Sequence, residues 1–277
     1  MLRLYARSSV LTRTGWSRAR RKRRPLPSAW LEALEEHVAY YHCLPEAEQA
    51  ELRGMLQVLL GEMAFEAGAG LGDIDLAMRV TIAAQAGILL LHRPLSDLPN
   101  LRTAIVYPGV YHAREKMSTD DGVVVESTEA RHGESWSHGV LLFSWDDVAY
   151  DAVHIGDGEN IVFHEVAHAL DEQTGESDGM PLLPDVETER VWAEDFAAAY
   201  ERFVGETRRR RRGLLDPYAA EDPSEFFAVA TEAFLEVPLA FRSAYPELYE
   251  HLRRFYDLDP ATWAACLKAA RPPRKRP

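Results

Sequence analysis

The sequence has only two cysteines in 277 residues, Cys43 and Cys266, and they lie far apart along the chain. So few cysteines exclude a disulfide-rich scaffold and a metal site built from thiolates. We therefore expect no disulfide framework, which favours a reducing compartment and a cytoplasmic location.

Long apolar runs are also lacking. The longest, AAQAGILLL from Ala83 to Leu91, is far shorter than the roughly 20 residues that a membrane-spanning helix needs. The N-terminus has no continuous apolar stretch, so it is a poor secretory signal. No internal repeat is visible, and hydrophobic residues make up 47% of the chain, enough to form a core. We predict a globular protein with no membrane partner.

Acidic residues are absent from the first 25 positions, which hold nine basic residues, whereas the rest of the chain has 22 basic and 44 acidic residues. We predict a disordered basic tail over residues 1–27, one domain over residues 28–262 and a basic tail over residues 263–277. The run Arg208–Arg212 is interpreted as a solvated loop. A body this acidic is a poor nucleic-acid binder, so no direct contact with nucleic acid is expected.

The apolar pattern changes its period along the chain. Apolar residues recur every three or four positions in residues 28–65, which predicts two helices broken at Pro45. LRTAIVYPG, DGVVVES and GVLLFSW are rich in valine and aromatic residues and predict strands. The remaining predicted helices are about Asp73–His92, Asn160–Gln173, Asp185–Phe203, Ser224–Leu235 and Tyr245–Tyr256. Helices, a few strands and then helices predict an α+β fold with a helical N-terminal part.

The segment IVFHEVAHALD places two histidines four positions apart, with a glutamate after the first. On a helix such positions lie about 40° apart, so His164 and His168 present both imidazoles to one point. A catalytic zinc takes three protein ligands and leaves one position for water. Glu165 lies near that water and would accept its proton. The pattern predicts a hydrolytic zinc centre; the alternative is that both histidines bond to protein groups on a polar seam.

A third zinc ligand must come from elsewhere in the chain, and spacing alone leaves several candidates. Glu187, Glu189 and Glu194 fall on the next predicted helix, and Glu225 opens a later one in DPYAAEDPSEFFAVATEAF. Glu225 also fits a purely structural role, because a glutamate three residues after Asp222 completes a capping box. The residues by themselves do not choose between a ligand and a cap.

Several stretches together resemble a known family. HEVAHALD, LDPYAAEDPSEFFAVATEAF, AYPELYEHLRRFYDLDP and GESWSHGVLLFSWDD, within roughly residues 28–260, are similar to the Mlc titration factor A family of zinc-dependent peptidases, whose catalytic core resembles the protease domain of anthrax lethal factor. The resemblance implies a zincin-like domain with a small mixed or antiparallel sheet and an HExxH active-site helix. It implies one Zn²⁺ held by His164, His168 and Glu225, with Glu165 as catalytic base and Tyr218 as donor to the developing oxyanion.

Other residues receive weaker assignments. Asp171 would either orient a ligand histidine or serve the helix end or a salt bridge, and Glu232 would support the site in the same way as an orienting residue. His154 is interpreted as a loop histidine. Val140–Trp145 is the candidate edge strand along which a peptide would add, or else an interior strand without substrate contact.

Two classes of function follow from these assignments. The first is a zinc metallopeptidase acting on a peptide or protein substrate, with aminopeptidase action implied by the resemblance. The second, also implied by the resemblance, is a regulatory protein that sequesters a transcriptional repressor of sugar uptake. A zinc-bound fold without catalysis is a third option, which the intact set of Glu165, Glu225 and Tyr218 argues against.

Overall fold

The structure is a computed structural model that describes residues 13–95, 98–109, 111–118, 124–131, 133–136, 139–209 and 213–270. Helices predominate in these residues, and short strands interrupt them. The helices are α1 (Arg13–Lys22), α2 (Ser28–His37), α3 (Ala39–Cys43), α4 (Glu46–Glu62), α5 (Leu76–Leu89), α6 (Trp145–Val153), α7 (Ile161–Asp171), α8 (Val186–Arg208), α9 (Pro223–Glu236), α10 (Pro238–Ala244), α11 (Pro246–Tyr256) and α12 (Ala264–Ala270).

Short polar side chains cap the first turn of several helices. Asp75, Asn160 and Asp222 each accept a hydrogen bond from the backbone amide three residues later. Such a bond satisfies one of the amides that a helix start leaves without a partner. These caps set the first residues of α5, α7 and α9.

Four of the strands form one mixed sheet. The strands are β1 (Ala64–Ala67), β2 (Thr103–Tyr107), β3 (Tyr111–Ser118), β4 (Val124–Arg131), β5 (Gly133–Trp136) and β6 (Val140–Ser144). The sheet order is β1-β2-β6-β5, in which β1, β2 and β6 are parallel and β5 runs antiparallel to β6. Strands β3 and β4 form a separate antiparallel pair. A mixed sheet is therefore confirmed, and the antiparallel alternative is wrong for the main sheet.

The predicted edge strand Val140–Trp145 lies inside the sheet, so that prediction is wrong. Strand β6 pairs with β2 on one side and with β5 on the other. Both rows of its backbone groups are therefore used, and no edge remains for a peptide. Trp145 already belongs to α6. The strand at the edge of the sheet is β5, which precedes β6 in the chain. It runs antiparallel to β6 and pairs Gly133 with Phe143.

The core lies between the sheet and helices α5, α7 and α9. Helix α7 packs against α9, α5 and β5, and nearly every residue of α9 is buried. On its other side α9 packs against α8, where Trp192 stacks on Phe196 with ring centroids 4.3 Å apart and contacts Phe227 at 5.9 Å. Burial of one such large apolar side chain contributes about 1.5–3 kcal/mol. The site helices are thus held rigidly by packing on two sides.

The predicted disordered N-terminal tail is in part a helix. Residues 13–22 form α1, which packs against α4. Arg18 forms an ion pair with Glu62 at 2.9 Å, and Lys22 forms one with Glu51. The prediction considered only local composition, whereas the partners of these cations lie on a later acidic helix. Residues 1–12 lie outside the described residues.

The C-terminal end is also more ordered than predicted, and it carries a disulfide. Cys266 on α12 is bonded to Cys43 at the end of α3, so the expectation that the two cysteines do not pair is wrong. Trp263 and Leu267 are both 2% exposed. Separation along the chain says nothing about distance in the fold, and the argument for a reducing compartment loses its basis. Residues 271–277 lie outside the described residues.

The periodicity located most of the long helices and three of the strands and missed several other elements. An extra break at Val38 divides the first predicted helix into α2 and α3, and α6, α10, β1, β3 and β5 were not predicted. Elements such as β1, β5 and α10 are too short to display a period. Strand β3 is as long as β4 but has few apolar residues. Among the described residues, no helix is long and apolar enough to cross a membrane.

The disulfide gives a first prediction. Replacing both cysteines, as Cys43→Ser with Cys266→Ser, should lower the free energy of unfolding by about 2–5 kcal/mol, because the bond closes a loop of 223 residues in the unfolded chain. Urea unfolding of both proteins, with and without reductant, measures this. The double variant is its own control, since reductant should leave it unchanged. Two reactive thiols in the untreated wild type would contradict the pairing.

Candidate metal centre

Helix α7 carries both histidines of the HExxH pattern on one face. Asn160 caps its first turn, accepting a bond from Phe163 N at 3.0 Å, and its own side-chain amide donates to Gln85 at 2.8 Å inside the core. The side chains of His164 and His168 are each 12% exposed. The buried apolar residues between them anchor the helix, so both imidazoles are held in a mostly buried position.

Three ligand atoms converge at this place. His164 Nε2 lies 3.1 Å from His168 Nε2, and Glu225 Oε2 lies 3.0 Å from the first and 3.4 Å from the second. Among the described residues, these three side chains are the one group of histidines, cysteines and carboxylates with the spacing of a metal site. With metal–ligand bonds of about 2.0–2.1 Å, two ligand atoms of a tetrahedral zinc lie about 3.3 Å apart. The observed triangle fits that ion.

The hydrogen-bond partners of the two rings support this fit. His164 Nδ1 lies 2.7 Å from Glu232 Oε1, and His168 Nδ1 lies 3.0 Å from Ser224 Oγ. An ionised carboxylate only accepts, so the proton of His164 belongs on Nδ1. Glu225 Oε2 is buried and faces the Nε2 atoms of His164 and His168 at 3.0 and 3.4 Å. Acceptor atoms therefore face one another, an arrangement that a cation stabilises.

The electrostatics of the site also fit a cation. Burial lowers the pKa of His164, but the carboxylates of Glu225 and Glu232 more than offset this and leave that pKa well above its usual value. Burial raises the pKa of Glu225, yet its hydrogen bonds with the two histidines hold it far below the usual range. Without a metal, a proton would lie between the histidine rings and Glu225, because the carboxylates of Glu225 and Glu232 favour positive charge there.

Glu232 directly supports one histidine. Its Oε1 contacts His164, and its Oε2 accepts a bond from Asn160 N at 2.6 Å. One buried carboxylate thus fixes both the ring orientation and the start of α7. Asp171, the other residue proposed as a support, touches neither histidine. It accepts a bond from Ser224 Oγ at 2.9 Å and reaches His168 through that hydroxyl.

The two predicted catalytic side chains lie next to the histidines. Glu165 is 2% exposed. Tyr218 is 46% exposed, and its ring centroid lies 6.2 Å from that of His164. Partial burial and the charge of Glu225 raise the pKa of Tyr218, so the phenol keeps its proton over the neutral range. Tyr218 sits in the 3₁₀ turn Pro217–Ala220, where its amide donates to Asp216.

The alternative third ligands lie elsewhere. Glu187 and Glu194 both pair with Arg190 at 2.6 Å on the exposed side of α8, and Glu189 does not join the group of three. The capping role is separate from the ligand role, because Asp222 accepts from the backbone amide of Glu225 while the Glu225 carboxylate faces the histidines.

His154 and two further residues complete the comparison with the prediction. His154 stacks on exposed Tyr150 with centroids 4.0 Å apart, at the end of α6 and outside the group of three.

Sequence reasoning missed Ser224 and Asn160, which hold His168 and the start of α7. Asn160 had a signal in the sequence, as a capping residue four positions before His164. Ser224 had none, because serine is ordinary in the first turn of a helix.

Comparison with known proteins shows that most of the chain is similar to one family model and to several proteins. A family model described as glucose-regulated metallo-peptidase M90 matches residues 13–257. The chain is 34% identical over 248 residues to an uncharacterized protein of Synechocystis sp., covering 88% of this chain and 89% of that protein. It is 30% identical over 236 residues to proteins named Mlc titration factor A from Escherichia coli K12 and Shigella boydii, covering 83% of this chain and 86% of each of them.

The geometry of the three ligand atoms predicts the effect of removing the Glu225 carboxylate. The wild type should hold about one zinc per chain, and Glu225→Ala should lose it on dialysis against a chelator, because two ligands remain of three. Metal analysis of the purified proteins measures this, with circular dichroism to confirm folding. Glu194→Ala is the matched control and should keep its zinc. Full zinc in Glu225→Ala would instead exclude that carboxylate as a ligand.

Proposed function

The chain belongs to the family of glucose-regulated metallo-peptidases M90, and from this premise we propose that it is a zinc-dependent peptidase. One zinc ion would be held by His164, His168 and Glu225. The observation that carries the proposal is the approach of these three acceptor atoms to within 3.0–3.4 Å of one another. A buried group of this kind has little use in a protein that binds no cation.

Glu165 is the general base of the proposed reaction. When bound, the zinc ion lowers the pKa of a water and polarises the substrate carbonyl. Glu165 follows His164 directly on α7 and is 2% exposed, so its carboxylate acts in surroundings from which bulk water is largely excluded. It accepts the proton of the attacking water and delivers it to the leaving amine as the peptide bond breaks.

Tyr218 is the proposed donor to the oxyanion. Its raised pKa keeps the hydroxyl proton available, and its half-exposed ring has its centroid 6.2 Å from that of His164. A hydrogen bond that strengthens as negative charge develops on the carbonyl oxygen stabilises the transition state more than the bound substrate. This role does not require Tyr218 to be deprotonated.

Strand β5 replaces β6 as the proposed place of peptide binding. Among the described residues it forms the edge of the sheet and pairs only with β6, and α7 packs against it. A peptide added along this edge would lie beside the zinc helix, held by backbone hydrogen bonds. Aminopeptidase action is the proposed specificity. A cytoplasmic location is proposed only from the likeness to proteins named Mlc titration factor A, because the Cys43–Cys266 bond removes the argument from cysteine content.

A second candidate function rests on the names of the relatives. Several are called Mlc titration factor A and are 30% identical over most of this chain, so sequestration of a transcriptional repressor is a reasonable alternative task. The two functions are separable. Binding of such a repressor should survive a change at Glu165, whereas hydrolysis should not.

The base gives the sharpest prediction for the reaction. Glu165→Gln keeps the shape of the side chain but removes proton acceptance, so kcat/KM should fall by about 10²–10⁴-fold while the zinc content stays unchanged. The assay uses amino-acid p-nitroanilides and blocked peptides, which also distinguishes exopeptidase from endopeptidase action. Glu187→Gln, exposed on α8, is the matched control. Wild-type cleavage by Glu165→Gln would exclude the proposed mechanism.

The oxyanion donor has a different kinetic signature. Tyr218→Phe removes one hydroxyl and should lower kcat by about 10²–10³-fold with little change in KM, because the bond is made mainly in the transition state. Steady-state kinetics on the best substrate of the panel measure this. A raised KM with an unchanged kcat would instead assign Tyr218 to substrate binding.

A further inference from the structure

The two candidate ligand histidines are held by different chemistry. His164 Nδ1 meets a carboxylate directly, at 2.7 Å from Glu232. His168 Nδ1 meets a hydroxyl, at 3.0 Å from Ser224 Oγ. Behind that hydroxyl lies the carboxylate of Asp171, whose Oδ2 is 2.9 Å from Ser224 Oγ. Ser224 is 5% exposed and Asp171 is fully buried, so water does not substitute for either contact.

The hydrogen-bonding capacity of Ser224 determines the direction of each bond. A serine hydroxyl has one proton and two lone pairs. Its proton goes to Asp171, which as a carboxylate can only accept. The lone pairs then accept from the two remaining neighbours, His168 Nδ1 at 3.0 Å and Ser177 Oγ at 2.9 Å. The one donor site and the two acceptor sites of the hydroxyl are then all used. Because Ser224 accepts from His168, the ring must carry its proton on Nδ1.

We infer that Ser224 is a positioning residue that sets the tautomer and ring orientation of His168 and connects it to the buried charge of Asp171. The inference rests on the proposed function, since it concerns a ligand of the proposed zinc ion. With the proton held on Nδ1, the lone pair of Nε2 points toward His164 Nε2 and Glu225 Oε2, which lie 3.1 Å and 3.4 Å away. Such supporting contacts raise metal affinity by restricting the ligand.

The same contacts join the loop after α7 to the site. Gly179 N donates to Asp171 Oδ2 at 2.8 Å, and Trp192 Nε1 donates to Gly179 O at 3.0 Å. Gly179 has a φ of +78°, and a Cβ there would lie 2.4 Å from Pro223 O. Only glycine permits this approach. The loop therefore lies against the start of α9, where Ser177 contacts Ser224.

Zinc affinity tests the inference on the intact protein. Ser224→Ala should raise the zinc dissociation constant by about 10-fold or more, measured by competition with a chromophoric chelator, because outer contacts to ligands typically contribute 10- to 100-fold. Ser224→Thr keeps the hydroxyl and should restore most of the affinity. Ser177→Ala is the matched control, since it removes a hydroxyl that touches Ser224 but not His168, and should bind zinc like the wild type. Unchanged affinity in Ser224→Ala, or an equal loss in Ser177→Ala, would overturn the inference.

A second readout needs neither metal nor activity. Long-range ¹H–¹⁵N spectra of the metal-free protein at alkaline pH report which ring nitrogen of His168 is protonated. The wild type should have the Nδ1–H tautomer, and Ser224→Ala should lose that preference. An Nε2–H tautomer in the wild type would overturn the inference even if zinc binds. A wild type that binds zinc with the predicted tautomer but hydrolyses no peptide would refute only the proposed function.

Discussion

One face of helix α9 determines the geometry on which the rest of the site depends. Glu225, Glu232 and Glu236 are seven and four residues apart, so they lie within about 40° of one another around the helix axis. Each carboxylate bonds to a different part of the α7 region. Glu225 meets the two histidines, Glu232 meets His164 and the amide of Asn160, and Glu236 accepts from Gly156 N and from Tyr40 Oη. The relative position of the two helices is thus set by the contacts of three carboxyl groups, and the metal triangle is one product of that alignment.

Burying these carboxylates is costly, and the structure compensates for each of them differently. Glu236 is 1% exposed, and burial raises its pKa well above the usual value despite its two hydrogen bonds. The pKa of Glu225 is instead lowered, because two imidazoles face its carboxylate. The same helix therefore combines a carboxyl group that favours its neutral form with one that favours its charged form, about three turns away. Packing against α7 and α8 supplies the apolar burial that stabilises such a polar stripe.

The sequence predicts the local part of this site and not the part that depends on the fold. Two histidines four apart define a face of α7, and family resemblance selected Glu225, which the structure brings to that face. The strand order is set by tertiary pairing, so the pattern in GVLLFSW could not reveal that β6 is interior and β5 is the edge. Cys43 and Cys266 meet only because α3 and α12 pack together. Ser224 has an ordinary sequence context, and its contacts with His168 and Asp171 arise from the approach of two helices and a loop.

The bond between Cys43 and Cys266 turns most of the chain into a covalent ring. A single nick of the backbone anywhere between these residues leaves both fragments attached to each other. The two ends of the broken chain then stay close together, which favours retention of the fold, because rejoining parts that remain tethered costs little entropy. For a member of a metallo-peptidase family, this ring keeps the two pieces of a chain cut once between Cys43 and Cys266 in a single covalent molecule.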